Sequence, residues 1–234
     1  KLSDAFITIL AGAHGIVEVN SRLRADLALQ RAFGRTGCAE QSVVQETLDH
    51  ATSENVTQFA QALTTIYRQH SQGYRHDYAQ AWQVLDVDMT GLPCGPKAAF
   101  ASKGYFANQR NRRGRQLGRV LATHYQESVV DQLFDGKTQL ATALQPLVNA
   151  AEAVLGLDDA QPASTLIRVD AGGGSVADIN WLLAHGYQVL AKDYSSVRSA
   201  RVAASVTTWF TDPKLPERQV GWVMEPASAY VRPV

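Results

Sequence analysis

At 234 residues the chain has the length of one large domain, or of one domain beside a small helical one, and 45% apolar with 19% charged residues makes it globular rather than disordered. Its 22 basic and 22 acidic residues cancel, so the chain as a whole carries no electrostatic sign of a nucleic-acid partner. No apolar run approaches the roughly 20 residues that span a bilayer, so no membrane partner is expected. Cys38 and Cys94 match no metal-ligand spacing and point to a reducing compartment. No signal peptide is visible, although the chain does not begin with Met.

The first 78 residues read as helical. Ser3-Asp4 is placed to cap a helix carrying Phe6, Ile9 and Leu10, and Leu23 to Phe33 predicts a second, broken by Gly34 and Gly37. A short amphipathic helix follows over Ala39–Ala51. Ser53 caps another over Glu54–Gln72, with Phe59, Leu63, Ile66 and Tyr67 as its apolar stripe. This series is either a plain helical bundle or a helix-turn-helix reader of DNA using Arg31, Arg35 and the turn Gly34-Arg35-Thr36-Gly37.

From residue 79 the pattern changes. Trp82–Asp88 reads as a buried strand, and Ala98–Phe106 and Gln116–Tyr125 as two more. A charged turn over Asn108–Gly114 joins them, and Ser128–Phe134 extends the sheet. A helix over Leu140–Leu155 ends at Gly156. Then come a strand at Thr165–Val169, a helix at Val176–Ala184, a strand at Tyr187–Ala191 and a helix at Ser195–Ser205. Residues 206–234 open a β-rich segment, with a hairpin of Gln219–Val223 and Ser228–Val231 about Glu225-Pro226. The order matches an α/β, ribonuclease-H-like mixed sheet with flanking helices over 79–205, preceded by the helical region. In that fold the first and fourth strands lie side by side.

That adjacency concerns two aspartates. Asp88 ends the first strand and Asp170 ends the fourth. Carboxylates delivered at one sheet edge suit Mg²⁺ or Mn²⁺, which takes one or two carboxylates plus water and phosphate oxygens. Asp86 shares a strand face with Asp88 and is the reserve ligand; a lone strand aspartate more often serves only to hydrogen-bond. After Asp170 the run Ala171-Gly172-Gly173-Gly174-Ser175 permits close backbone approach to an anion, or is only a flexible turn. Asp178 is read as a helix-dipole partner, Asp193 as a cap and Lys192 as a phosphate contact at the same edge. The six histidines receive no role.

Charge is unevenly spread. From Met89 to Gln126 there is no acid, while Lys97, Lys103, Arg110, Arg112, Arg113, Arg115 and Arg119 all fall there. Such a run is either a solvated surface or, given the missing acids, a contact for DNA phosphate.

The segments LDVDMTGLPCG, KGYFANQRNRRGRQLGRV and TLIRVDAGGGS resemble motifs of bacterial insertion-sequence transposases of the DDE type, the IS4/IS1380-like group, over roughly Ala81 to Arg201. The resemblance implies that Asp88 and Asp170 are the first two acids of a metal-binding triad. It implies DNA strand cleavage and strand transfer, DNA ends and target as partners, a homodimer in the active complex, and a cytoplasmic, nucleoid-associated location. The family's third acid is a Glu on a late helix. Glu217 and Glu225, the late glutamates here, stand beside prolines, so that Glu is expected to be missing from this chain, which then reads as a fragment of low activity or an inactive DNA-binding remnant. A second reading fits Asp86-Val87-Asp88-Met89-Thr90 to the nucleophile motif of haloacid-dehalogenase-like phosphatases, with Asp86 attacking phosphorus and Asp88 as acid/base.

Overall fold

The computed structural model describes residues 1–95, 97–106, 109, 111–173, 175–193 and 195–223. The chain divides into two compact units, Lys1–Leu63 and Thr64–Val234.

In the first unit α1 (Leu2–Leu10), a 3₁₀ turn at Ile16–Val19, α2 (Leu27–Ala32) and α3 (Gln41–Asp49) bury Ile7, Val19, Leu23 and Val44. Asp4 does not cap α1. The helix starts two residues before it, and Asp4, 1% exposed, accepts from Arg35 Nη2 at 2.8 Å and from the Ala39 amide at 3.1 Å. A buried carboxylate needs such partners. Arg35 is thus engaged inside the unit rather than offered to DNA. α4 (Ser53–His70) begins here and continues past the unit boundary.

The second unit is a mixed α/β assembly. Its strands are β1 (Gln83–Pro93), β2 (Ser102–Lys103), β3 (Arg113–Ala122), β4 (Glu127–Asp135), β5 (Thr165–Val169) and β6 (Gln188–Ala191). The sheet runs β4-β3-β1-β5-β6, antiparallel across β4/β3/β1 and parallel across β1/β5/β6. α5 (Leu140–Leu155) and α6 (Val176–Ala184) connect the parallel part, and α7 (Ser196–Ala204) follows β6.

Strand periodicity sorts the side chains. Leu85 and Val87 on β1, Val120 and Ala122 on β3, and Ile167 and Val169 on β5 are buried. They form one core with Leu144, Leu147, Val148 and Ala151 of α5 and Leu182 of α6. Residues 86 and 88 therefore point to the opposite face. Trp82, expected to open a buried strand, is 57% exposed. α5, β5 and α6 keep their expected limits, because a continuous apolar stripe and αL Gly156 fix the first and Ser175 caps the last.

The antiparallel part differs from expectation. The meander is β1, β3 and β4, and the run Ala98–Phe106 contributes only the two residues of β2. β4 occupies the edge of β3 from Arg115 to Ala122, leaving only Arg113 and Gly114 for β2 to pair. Here backbones cross without side chains between them: a Cβ on Gly104 would lie 1.7 Å from the Gly136 carbonyl oxygen, and one on Gly136 2.2 Å from that of Gly114. The cations read as a turn sit partly on β3, which starts at Arg113. At the far end β8 (Gln219–Gly221) pairs with β7 (Trp209–Thr211). The expected partner strand Ser228–Val231, like Glu225 and Arg110, lies outside the described residues.

Candidate active site

β1 runs past the end of β5, so Asp88 and Asp170 both lie where the parallel strands finish. Both line one cleft of about 610 Å³ with Thr90, Gln116, Thr138 and Gly172. Each carboxylate has one oxygen fixed by a nearby amide: Met89 N–H donates to Asp88 Oδ1 at 2.7 Å, and Gly172 N–H to Asp170 Oδ1 at 2.7 Å. These short bonds set the side-chain rotamers without using the second oxygens. A Cβ at residue 172 would stand 3.0 Å from Asp170 Oδ1, so glycine permits this approach.

The α5 N-terminus is the third wall. Gln139, its N-cap, makes no side-chain cap bond, and Thr138, Gln139 and Leu140 line the cleft. The first amides of a helix carry a partial positive charge, which offsets the two carboxylates and favours anionic oxygens nearby. The donor set suits a hard divalent cation: two carboxylates with anchored geometry beside Thr90 and Thr138, with no cysteine or histidine among the described lining residues. Among the described residues no group of three His, Cys, Asp or Glu comes together, and Glu217, on the exposed turn between β7 and β8, does not line the cleft.

Asp86 is not brought to the cleft. It faces Arg168 across the β1/β5 register, and both its oxygens accept from that guanidinium. This bidentate pair occupies the reserve ligand, and a phosphatase nucleophile at Asp86 would have to surrender it. The antiparallel β3 beside β1 also departs from the parallel neighbours such a phosphatase requires.

The basic residues differ in whether their charge is paired with an acid or stacked on a ring. Lys103, Arg112 and Arg113 are exposed around the start of β3, and Lys192 is exposed after β6. Arg115 is half-buried with its guanidinium 5.7 Å from the Phe100 ring centroid. Arg119 donates from Nε to Asp131 Oδ1 at 2.6 Å. Asp193 pairs with Arg198 and accepts from the Ser195 amide, while Ser195 is the N-cap of α7.

Sequence reasoning missed Gln116 and the α5 entrance. Gln116 is buried, and its Nε2 donates to the carbonyls of Tyr105 at 3.1 Å and Gly136 at 3.2 Å, which turns its own oxygen away from both. The available signal was a glutamine among the otherwise apolar alternate positions of β3, Gly114, Gly118, Val120 and Ala122. Thr138 and Gln139 carried no such signal.

No family model matches the chain, and no curated protein does. Among solved structures it is similar to the Mos1 transposase paired-end complex with left transposon end, at 13% identity over 90% of this chain and 67% of that one, TM-score 0.33. It is similar also to the Mos1 mariner paired-end complex with Mn, at 15% identity over 86% of this chain and 64% of that one, TM-score 0.32. A pre-cleavage Mos1 transpososome gives 14% identity over 86% of this chain and 65% of that one, TM-score 0.32. The chain thus spans about two thirds of those chains' length.

Proposed function

We propose that residues 79–205 form the ribonuclease-H-like core of a DDE-type DNA transposase, with Asp88 and Asp170 as its metal-binding carboxylates. The observation that carries the reading is their convergence, from strands far apart in sequence, on one cleft that opens beside the acid-free basic segment. The sheet order supports the fold: an antiparallel meander of β1, β3 and β4, then parallel β5 and β6 with β5 against β1.

In this reading Asp88 and Asp170 would hold Mg²⁺ or Mn²⁺, which when bound supplies Lewis-acid stabilisation of charge on phosphodiester oxygens. The amides of Met89 and Gly172 orient the two carboxylates. The entrance of α5 favours the anionic backbone, and Lys103, Arg112, Arg113 and Lys192 draw DNA phosphate towards the cleft. Two carboxylates with no third among the described residues leave the site weak in catalysis, so DNA binding is expected to exceed cleavage. Pairing of two chains on DNA ends belongs to the same proposal.

The test is Mn²⁺ titration followed by the free-ion resonance signal, together with nicking of supercoiled DNA. Saturable binding that is lost in Asp88→Asn and Asp170→Asn, with DNA affinity kept within about twofold, is expected. Mn²⁺ binding that survives both substitutions would remove the assignment.

A further inference from the structure

Three charged residues stand in a row across the sheet beside the cleft. The β1/β3 register puts Arg119 directly opposite Asp88, and the β3/β4 register puts Asp131 directly opposite Arg119. All three are exposed, on the face away from the core. Directly opposed residues of antiparallel strands have Cα atoms about 4.5–5.5 Å apart, within reach of a long guanidinium side chain on either side. Arg119 is turned to Asp131, donating from Nε to Oδ1 at 2.6 Å, and Ser128 Oγ donates to the other oxygen, Oδ2, at 2.6 Å. Asp131 is therefore itself held in place. Among the described residues the guanidinium paired to a β1 carboxylate is that of Arg168, and it is committed to Asp86.

We propose that Arg119 is a positioning residue of the cleft, a built-in counter-cation that Asp131 and Ser128 hold off Asp88. This rests on the reading of Asp88 and Asp170 as cation ligands. Two adjacent carboxylates repel each other, and a guanidinium turned to Asp88 would relieve that repulsion in place of a metal ion. The same guanidinium then competes for the carboxylate that the cation needs. Asp131 keeps the competing guanidinium turned towards β4, and the cleft retains its negative charge. Arg119 accordingly belongs to the metal site rather than to the strip that meets DNA phosphate.

Charge loss alone and release of Arg119 predict different patterns, so a cycle of exposed substitutions separates them. Side chains at 119 and 131 are 49% and 40% exposed, and the variants are expected to keep the wild-type circular dichroism. Mn²⁺ affinity is read from the free-ion resonance signal, without reference to activity. Asp131→Asn is expected to weaken binding roughly fivefold, the scale of an exposed ion pair. Arg119→Gln is expected to hold or strengthen it. Adding Asp131→Asn to Arg119→Gln is expected to change little, because no guanidinium remains to be released. A loss of equal size in both backgrounds, or none in either, would overturn the proposal while leaving the cation site intact. Absence of any Asp88-dependent Mn²⁺ binding in the unaltered chain would overturn both.

Discussion

Side-chain chemistry in this chain is decided by partners more than by residue type. Asp86 and Asp88 are two residues apart on one strand face, yet Arg168 takes one and the cleft takes the other. Asp178 shows the same dependence. It lies in the first turn of α6, where the dipole favours an anion, but it is only 2% exposed and forms a reciprocal pair with the Ser175 cap: Ser175 Oγ to Asp178 Oδ2 is 2.5 Å. Burial pushes its carboxyl above the usual value of 3.8, against the lowering from Ser175. The folded chain then holds a proton that the unfolded chain has already released, so this group destabilises the fold as pH rises through the window between 3.8 and the raised value. Asp178→Asn should remove that decline. Urea unfolding at several pH values between about 4 and 7 should show the variant gaining on the parent as pH increases. Parallel curves would mean the carboxyl is not perturbed.

At the scale of elements, α5 is the piece that both builds the core and opens the site. Its buried stripe from Leu140 to Leu155 packs on β3 and β4, and its first residues line the cleft. The packing is tight at Gly118 of β3, where an added Cβ would lie 2.7 Å from Leu147 Cδ1 and 2.8 Å from Phe134 Cε2. Gly118→Val overpacks this point from both sides. It should cost about 1–3 kcal/mol of unfolding free energy, read as a lower urea midpoint at unchanged slope. An unshifted midpoint would show that α5 can lift off the sheet freely. The glycines at 104, 114 and 136 do comparable work for β2, bringing three backbone segments together where no side chain fits.

For the whole molecule the decisive property is distribution of charge, since the total is zero. The acid-free segment follows Asp88 in the chain, and its exposed cations Lys103, Arg112 and Arg113 lie around the start of β3. Replacing Lys103, Arg112 and Arg113 together with Ala should weaken DNA binding by a similar factor for unrelated sequences. It should also reduce the slope of log affinity against log salt by up to about 2.7, roughly 0.9 for each phosphate no longer neutralised. These side chains are exposed, so the fold should survive. A loss confined to one sequence would instead indicate base reading.

Much of the second unit was legible in the sequence because its signals are local. The stripe of α5, Gly156 after it, the apolar run of β5 and the Ser175 cap each fix an element within a few residues of chain. The strand-end aspartates could be singled out for the same reason. The antiparallel edge was not legible: whether Ala98–Phe106 forms a strand depends on how much of β3 is left unpaired by β4, and no local pattern carries that. Nor could the sequence decide which aspartate is free. Asp86, Asp88 and Asp131 are the same side chain, and they differ in what the register sets beside them, while Asp170 is placed by the end of β5. Residue type is written in the chain, but hydrogen-bond partners and the walls of a cleft come from segments far apart in it, and only the folded sheet brings those together.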